Sequence, residues 1–212
     1  MTDSFSGDSL TCIRGERLVF DNLSFAVAAG DILVLRGPNG SGKSSLLRLL
    51  AGLARPAAGA LKWNGAPVWD DPAAHRGRLR YLGHRNALKS ALTARENLSF
   101  AAVLFGGGAV DAALDRLGLT ALAHVPARFM SSGEQRRLAL ARLIAAPAPL
   151  WLLDEPTVGL DDASLRVLVD MIADHRRGGG MAMLATHGPL DLGEAATLDM
   201  ADFAVARPDV AA

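Results

Sequence analysis

GPNGSGKSS, residues 37–45, follows directly on the apolar run ILVL at 32–35. Its nine positions hold three glycines, three serines and one lysine, so the backbone can bend freely beside a single cation. Gly37, Gly42, Lys43 and Ser44 fall at the spacing G-x-x-x-x-G-K-[ST], between an apolar strand and a helix, as that motif requires. In such a loop successive backbone N–H groups converge on phosphate oxygens, and the following helix adds the positive end of its dipole. On this reading Gly37, Pro38, Asn39, Gly40, Ser41, Gly42, Lys43, Ser44 and Ser45 form a phosphate cradle. Lys43 reaches the outer phosphates and the Ser44 hydroxyl binds Mg²⁺. The alternative is a flexible turn with a chance lysine. Against it, only three of the 22 basic residues are lysines, and one is kept where a guanidinium would not fit.

Working outward, ILVL, LWLLD at 150–154 and MAMLA at 181–185 are continuous apolar runs, as parallel strands covered on both faces are. LSFAV at 23–27 alternates instead, and LKWNGAPVW at 61–69 carries Asn64-Gly65 between two apolar runs, so both read as antiparallel strands, the second a hairpin. SLLRLLAGL at 45–53 and the stretch from Ala163 to GGG at 178–180 read as helices, the latter with Leu165, Leu168, Val169 and Ile172 on one face. Residues 88–146 read as a helical insert, with capping boxes in TARE at 93–96 and SSGE at 131–134. The expected fold is α/β: a mostly parallel central sheet, an antiparallel β subdomain and the α-helical insert, in one domain over residues 1–212.

Composition excludes several classes. With 22 basic and 22 acidic residues the formal charge is zero, which gives no general electrostatic reason to bind nucleic acid. The cluster RGRLR at 76–80 reads as a solvated face. A lone cysteine, Cys12, excludes an internal disulfide and suits a reducing cytoplasm. The amino terminus does not read as a signal peptide, and no apolar run reaches the roughly 20 residues of a membrane span. A soluble chain is expected.

A phosphate loop alone allows kinases, GTPases and many ATPases, but two further motifs narrow the choice. LWLLDEP at 150–156 ends an apolar strand in two carboxylates, putting Asp154 beside the phosphate loop to hold Mg²⁺, while Glu155 can orient or deprotonate water. MSSGEQRRLALARL at 130–143 is locally a capped helix, yet its serine- and glycine-bearing N-terminus is also an anion site. The phosphate loop already supplies one helix to its nucleotide, so a second such site suggests a second subunit.

MSSGEQRR followed by LLDEP resembles the signature motif and Walker B strand of the ATP-binding cassette (ABC) ATPases. The resemblance implies a P-loop nucleoside triphosphatase fold, ATP and Mg²⁺ as ligands, and a homodimer of ATPase subunits working with integral membrane transporter subunits. By the same resemblance Ser131 and Gly133 contact the γ-phosphate held by the partner protomer, and Asp154 is the Mg²⁺ carboxylate. Glu155 is then the catalytic carboxylate, Asp161 of GLD at 159–161 reaches across the dimer, and His187 of MLATH is the switch histidine. Arg14 stands where the family places an aromatic residue that stacks on adenine; a guanidinium plane can stack there too, and a surface role is equally open. His84 stands where the family has a glutamine, and imidazole is a poor ligand for a hard cation.

YLGHRNALKSALTARENLSF, residues 81–100, further resembles the ATP-binding subunit of the bacterial haem exporters of cytochrome c maturation. That implies a peripheral subunit on the cytoplasmic face of the inner membrane, using ATP for haem export or for release of a haem chaperone. A soluble cassette ATPase of another assembly system and the ATPase of a different small transporter stay open. Arg85 and Lys89 precede a helix with Leu98, Ala101, Ala102 and Phe105 on one face; that face either packs within the insert or receives a helix of the membrane subunit.

Overall fold

The computed structural model describes residues 2–188 and 190–204. It opens with a long hairpin of β1 (Ser4–Arg14) and β2 (Arg17–Ala28), followed by β3 (Ile32–Arg36) and α1 (Lys43–Leu50). Next come β4 (Ala58–Trp63), β5 (Ala66–Pro67), the short helix α2 (Pro72–Gly77) and β6 (Leu79–Leu82). The helices α3 (Ala94–Phe105), α4 (Val110–Arg116) and α5 (Ser132–Ala145) make the insert, which gives way to β7 (Leu150–Asp154). The chain continues through α6 (Asp162–Arg177), β8 (Met181–Ala185) and β9 (Ala196–Asp199).

The strands form two sheets, an antiparallel one in the order β2-β1-β4-β5 and a parallel one in the order β6-β7-β8-β3-β9. Asn64 and Gly65 both take positive φ, 50° and 80°, the conformation that a tight β-hairpin demands. All five residues of β7 and of β8 are buried, which explains their unbroken apolar sequence. Successive residues serve opposite layers. Leu33, Leu35, Leu150 and Leu152 face the antiparallel sheet, whereas Val34, Trp151, Leu153 and Leu184 face the insert and α6.

Helix α1 is wedged between the two sheets. Leu46, Leu47, Leu49 and Leu50 are fully buried, against Phe5, Phe20 and Leu23 of the hairpin on one side and the parallel strands on the other. Each such leucine contributes about 1.5–3 kcal/mol of burial. The phosphate loop therefore hangs on a helix fixed from both faces.

Two expectations need correction, and for a third the structure selects one of the two alternatives left open. The helices of the insert begin only at Ala94, because residues 84–93 form an irregular loop pinned by Asn97, whose side chain bonds the backbone of Lys89, Leu92 and Thr93. The cluster at 76–80 is not a solvated face throughout: Arg80 is 7% exposed in strand β6, its guanidinium donating to the carbonyls of Ala146, Gly77, Leu79 and Pro147. Leu98, Ala101 and Ala102 turn into the core of the insert, so that face of α3 is packing; its outer face exposes Phe100, Val103 and Leu104.

Candidate functional site

Strand β3 delivers the chain into the phosphate loop and α1 carries it away, with Gly42 at the N-cap of that helix. Gly42 has φ 103°, and a Cβ there would lie 2.8 Å from Val19 Cγ1 of the hairpin, so only glycine lets the loop pass under β2. Lys43, 7% exposed, folds its ammonium back over the loop, donating to the carbonyls of Gly37 at 2.7 Å and Pro38 at 3.1 Å. Ser41 is buried with its hydroxyl unpartnered, packed behind the loop rather than in the cleft.

A cleft of about 440 Å³ opens over this loop, floored by Asn39, Gly40, Gly42, Lys43, Ser44 and Ser45. Its walls are Arg14, Arg17 and Val19 from the tip of the β1–β2 hairpin, with Glu155 and His187 opposite. Arg14 Nη1 stands 3.5 Å from Ser45 Oγ. Glu155 and His187 come from the ends of neighbouring strands, β7 and β8, and Glu155 Oε1 lies 3.3 Å from His187 Nε2. Below them Ser44 Oγ donates to Asp154 Oδ1 at 2.9 Å, joining residues 110 positions apart. A hydroxyl and a carboxylate side by side beneath a phosphate loop are the hard oxygen donors that Mg²⁺ takes.

Tyr81 of the adjoining strand β6 is pushed up to about 12 by burial and by the negative charge of Asp154, so it stays a neutral phenol beside that carboxylate. Glu155 adopts φ 49°, the left-handed region that disfavours residues with a Cβ by about 1–3 kcal/mol. Its N–H donates to the Ala185 carbonyl at 2.8 Å, and its own carbonyl accepts from Arg136 Nη2 at 2.5 Å.

Ser131 and Gly133 do not line this cleft. Ser131 caps α5 through the expected box: its Oγ accepts from the Glu134 N–H and its N–H donates to Glu134 Oε2 at 2.7 Å. Gly133 packs against the loop after β7, where a Cβ would stand 3.1 Å from the Gly159 carbonyl oxygen. Asp161 caps α6, accepting from the Ser164 N–H at 2.8 Å, and hydrogen bonds from the Ser164 side chain and that N–H hold its carboxyl below the usual range. His84 is exposed and outside the cleft.

The sequence reading missed Arg17, Val19, Tyr81 and Arg136. For Arg136 a signal existed: it lies four residues before Leu140 and seven before Leu143, on the buried face of α5. The first two depend on the hairpin folding over the loop, which no local pattern announces.

Comparison with known proteins agrees with this fold. The ABC transporter family matches residues 20–158. The cytochrome c biogenesis ATP-binding export protein CcmA of Paramagnetospirillum magneticum is 54% identical over 214 residues, covering 98% of this chain and 99% of that protein. The protein of the same name from Rhodospirillum rubrum is 56% identical over 202 residues, covering 94% and 87%. Among solved structures, the ATP-binding subunit of an ABC transporter superposes with a TM-score of 0.80 at 25% identity, over 86% of this chain and 79% of that one. A putative ABC transporter ATP-binding protein from Pyrococcus furiosus, at 20% identity and a TM-score of 0.83 over 95% of this chain, shares the fold. The chain belongs to the ABC transporter family, as one of its ATP-binding, ATP-hydrolysing subunits.

Proposed function

We propose that this chain is the ATPase of an exporter serving cytochrome c biogenesis, acting on haem itself or on release of a haem chaperone. The observation that carries its chemistry is the meeting of Ser44 with Asp154, and of Glu155 with His187, at one phosphate loop. Relatives bearing the cytochrome c biogenesis name align over nearly the whole chain, which supports the export role.

ATP enters the cleft with its phosphates against the backbone N–H groups of residues 39–45 and its base toward Arg14 and Arg17. Ser44 and Asp154 are the residues that would hold Mg²⁺, which when bound would neutralise charge on the phosphate oxygens. Glu155 orients the attacking water and accepts its proton, and His187 fixes the Glu155 carboxylate from the far side and reaches the γ-phosphate. Lys43 stabilises the charge that develops on the transferring group. Two copies close head to tail, so that Ser131 and the N–H groups around Gly133 of each complete the site of the other. That arrangement accounts for a serine- and glycine-bearing helix N-terminus lying outside its own chain's cleft.

The outer face of α3 is the docking surface for the membrane subunits: Phe100, Val103 and Leu104 are exposed there, and Lys89 Nζ lies 4.5 Å from the Phe100 ring. The chain then sits on the cytoplasmic face of the inner membrane. Among the described residues no helix is long and apolar enough to cross a membrane, so the membrane path belongs to those partners. Co-purification of the tagged chain with an integral membrane complex, and accumulation of Glu155→Gln as an ATP-bound dimer that turns over very slowly, are the expected results. A Glu155→Gln variant that hydrolyses ATP at near the wild-type rate overturns the assignment of the base.

A further inference from the structure

We infer that Arg136 is the positioning residue of the catalytic carboxylate, clamping the backbone that carries Glu155 to the helix that begins at Ser131. The inference rests on the reading of Glu155 as the residue that orients water.

Arg136 stands one turn into α5, on the face shared with Leu140 and Leu143, and is 4% exposed. Its guanidinium lies within bonding distance of five oxygens from two other segments. Nε donates to the Pro156 carbonyl at 3.3 Å; Nη2 donates to the carbonyls of Asp154 at 3.2 Å and Glu155 at 2.5 Å. Nη1 donates to the Gly83 carbonyl at 3.2 Å and to Asn86 Oδ1 at 3.0 Å. None of these acceptors is a carboxylate. A leucine would fill this helix position without desolvating a charge, so packing alone does not explain an arginine here. What the arginine provides is a fixed fork of N–H donors, the one side chain able to hold three consecutive carbonyls and a second loop together.

Those three carbonyls belong to residues 154–156, the bend in which Glu155 is held at φ 49°. Without the clamp, Glu155 is free to relax to negative φ, which turns its Cα–Cβ bond and carries the carboxylate off His187. The same guanidinium holds Gly83 and Asn86 on either side of His84, and Arg142, two turns along α5, donates to the carbonyls of Asn86 and Ala87 at 3.3 Å. The helix that begins at Ser131, the bend at Glu155 and the loop through His84 are thus one tied body, and displacement of α5 is passed to the carboxylate.

The test is steady-state and single-turnover ATP hydrolysis by the purified full chain. Arg136→Lys keeps the charge but loses the planar fork; a misplacement on the order of 1 Å can cost about 100-fold in rate. We expect kcat to fall about 10- to 100-fold with KM for ATP within about twofold, and Arg136→Met to fall at least as far. In the Glu155→Gln background, where there is no base left to position, Arg136→Lys should leave the residual single-turnover rate unchanged. ATP binding by calorimetry reports whether each variant is folded, and Arg136→Lys carries the test if Arg136→Met does not bind. Wild-type kcat in Arg136→Lys, or the same fold loss in both backgrounds, overturns the inference while a slow Glu155→Gln leaves the carboxylate's role standing. Rapid turnover by Glu155→Gln overturns that role and the inference with it.

Discussion

Lys43→Ala removes the ammonium from the phosphate loop, and the structure shows where its bonds go. The ammonium has three donors. Two are committed to the carbonyls of Gly37 and Pro38 at 2.7 and 3.1 Å, which leaves the third for an outer phosphate. A hydrogen bond to a charged group contributes about 1.5–3 kcal/mol, so loss of the third donor should weaken ATP binding about 10- to 150-fold. Loss of the other two falls on the ligand-free chain instead, lowering its stability by about 1–3 kcal/mol because the freed carbonyls regain water only in part. Lys43→Arg keeps the charge but puts a longer, planar group into a pocket that leaves the lysine 7% exposed, so it should rescue neither binding nor hydrolysis. Isothermal calorimetry with ATP, together with thermal unfolding of the ligand-free variants, separates the two effects. An affinity for ATP within twofold of wild type in Lys43→Ala would refute the reading of the loop, since among the described residues Lys43 is the cation that folds over the loop itself, while Arg14 and Arg17 stand on the cleft wall.

Other outcomes follow from the same geometry. Ser131→Arg, combined with Glu155→Gln, should abolish the ATP-dependent dimer seen by size-exclusion chromatography, because a bulky cation then fills the space the second copy's γ-phosphate needs; a persisting dimer reduces Ser131 to a helix cap. Val103→Glu with Leu104→Glu alters only exposed side chains of α3, so stability should change by no more than about 0.5 kcal/mol and ATP hydrolysis little, while recovery with the membrane complex falls. Undiminished recovery moves the docking surface elsewhere. The ligand-free chain should also lose stability in mild acid. Burial lowers the pKa of His75, whose Nε2 donates to the Leu50 carbonyl at 2.8 Å while Nδ1 has no partner, and burial likewise lowers that of His175, stacked on Trp151 at 3.9 Å. Both therefore stay neutral in the fold at a pH where the unfolded chain takes up protons, so their contribution is complete above pH 6.5 and shrinks as pH falls below it. His75→Gln, which keeps a donor for Leu50 without titrating, should flatten the fall in unfolding midpoint between pH 7.5 and 5.5; an unchanged slope places the acid sensitivity elsewhere.

Local chemistry made much of this protein readable from its sequence. The phosphate loop, the apolar strands β3, β7 and β8, the Asn64-Gly65 hairpin and both capping boxes each depend on neighbours within a few residues, so spacing alone announces them. Strand β6 was hidden because Arg78 and Arg80 gave it the look of a charged surface turn. What buries Arg80 is its set of carbonyl partners at the far end of α5, including Ala146 and Pro147, which lie 66 and 67 positions away. The outward face of α3 went unread: the sequence left open whether the face of Leu98, Ala101 and Ala102 packs or docks, and the fold buries it and exposes Phe100, Val103 and Leu104. Sequence alone determined which residue types could meet a nucleotide. The motifs already set Ser44 and Asp154 at one site; only the tertiary structure decided that the two bond directly, that Arg17 and Val19 wall the cleft, and that Glu155 is bent into a left-handed turn under the hold of Arg136. Those contacts join segments as much as 110 residues apart, and their geometry is set by how two sheets close on one helix.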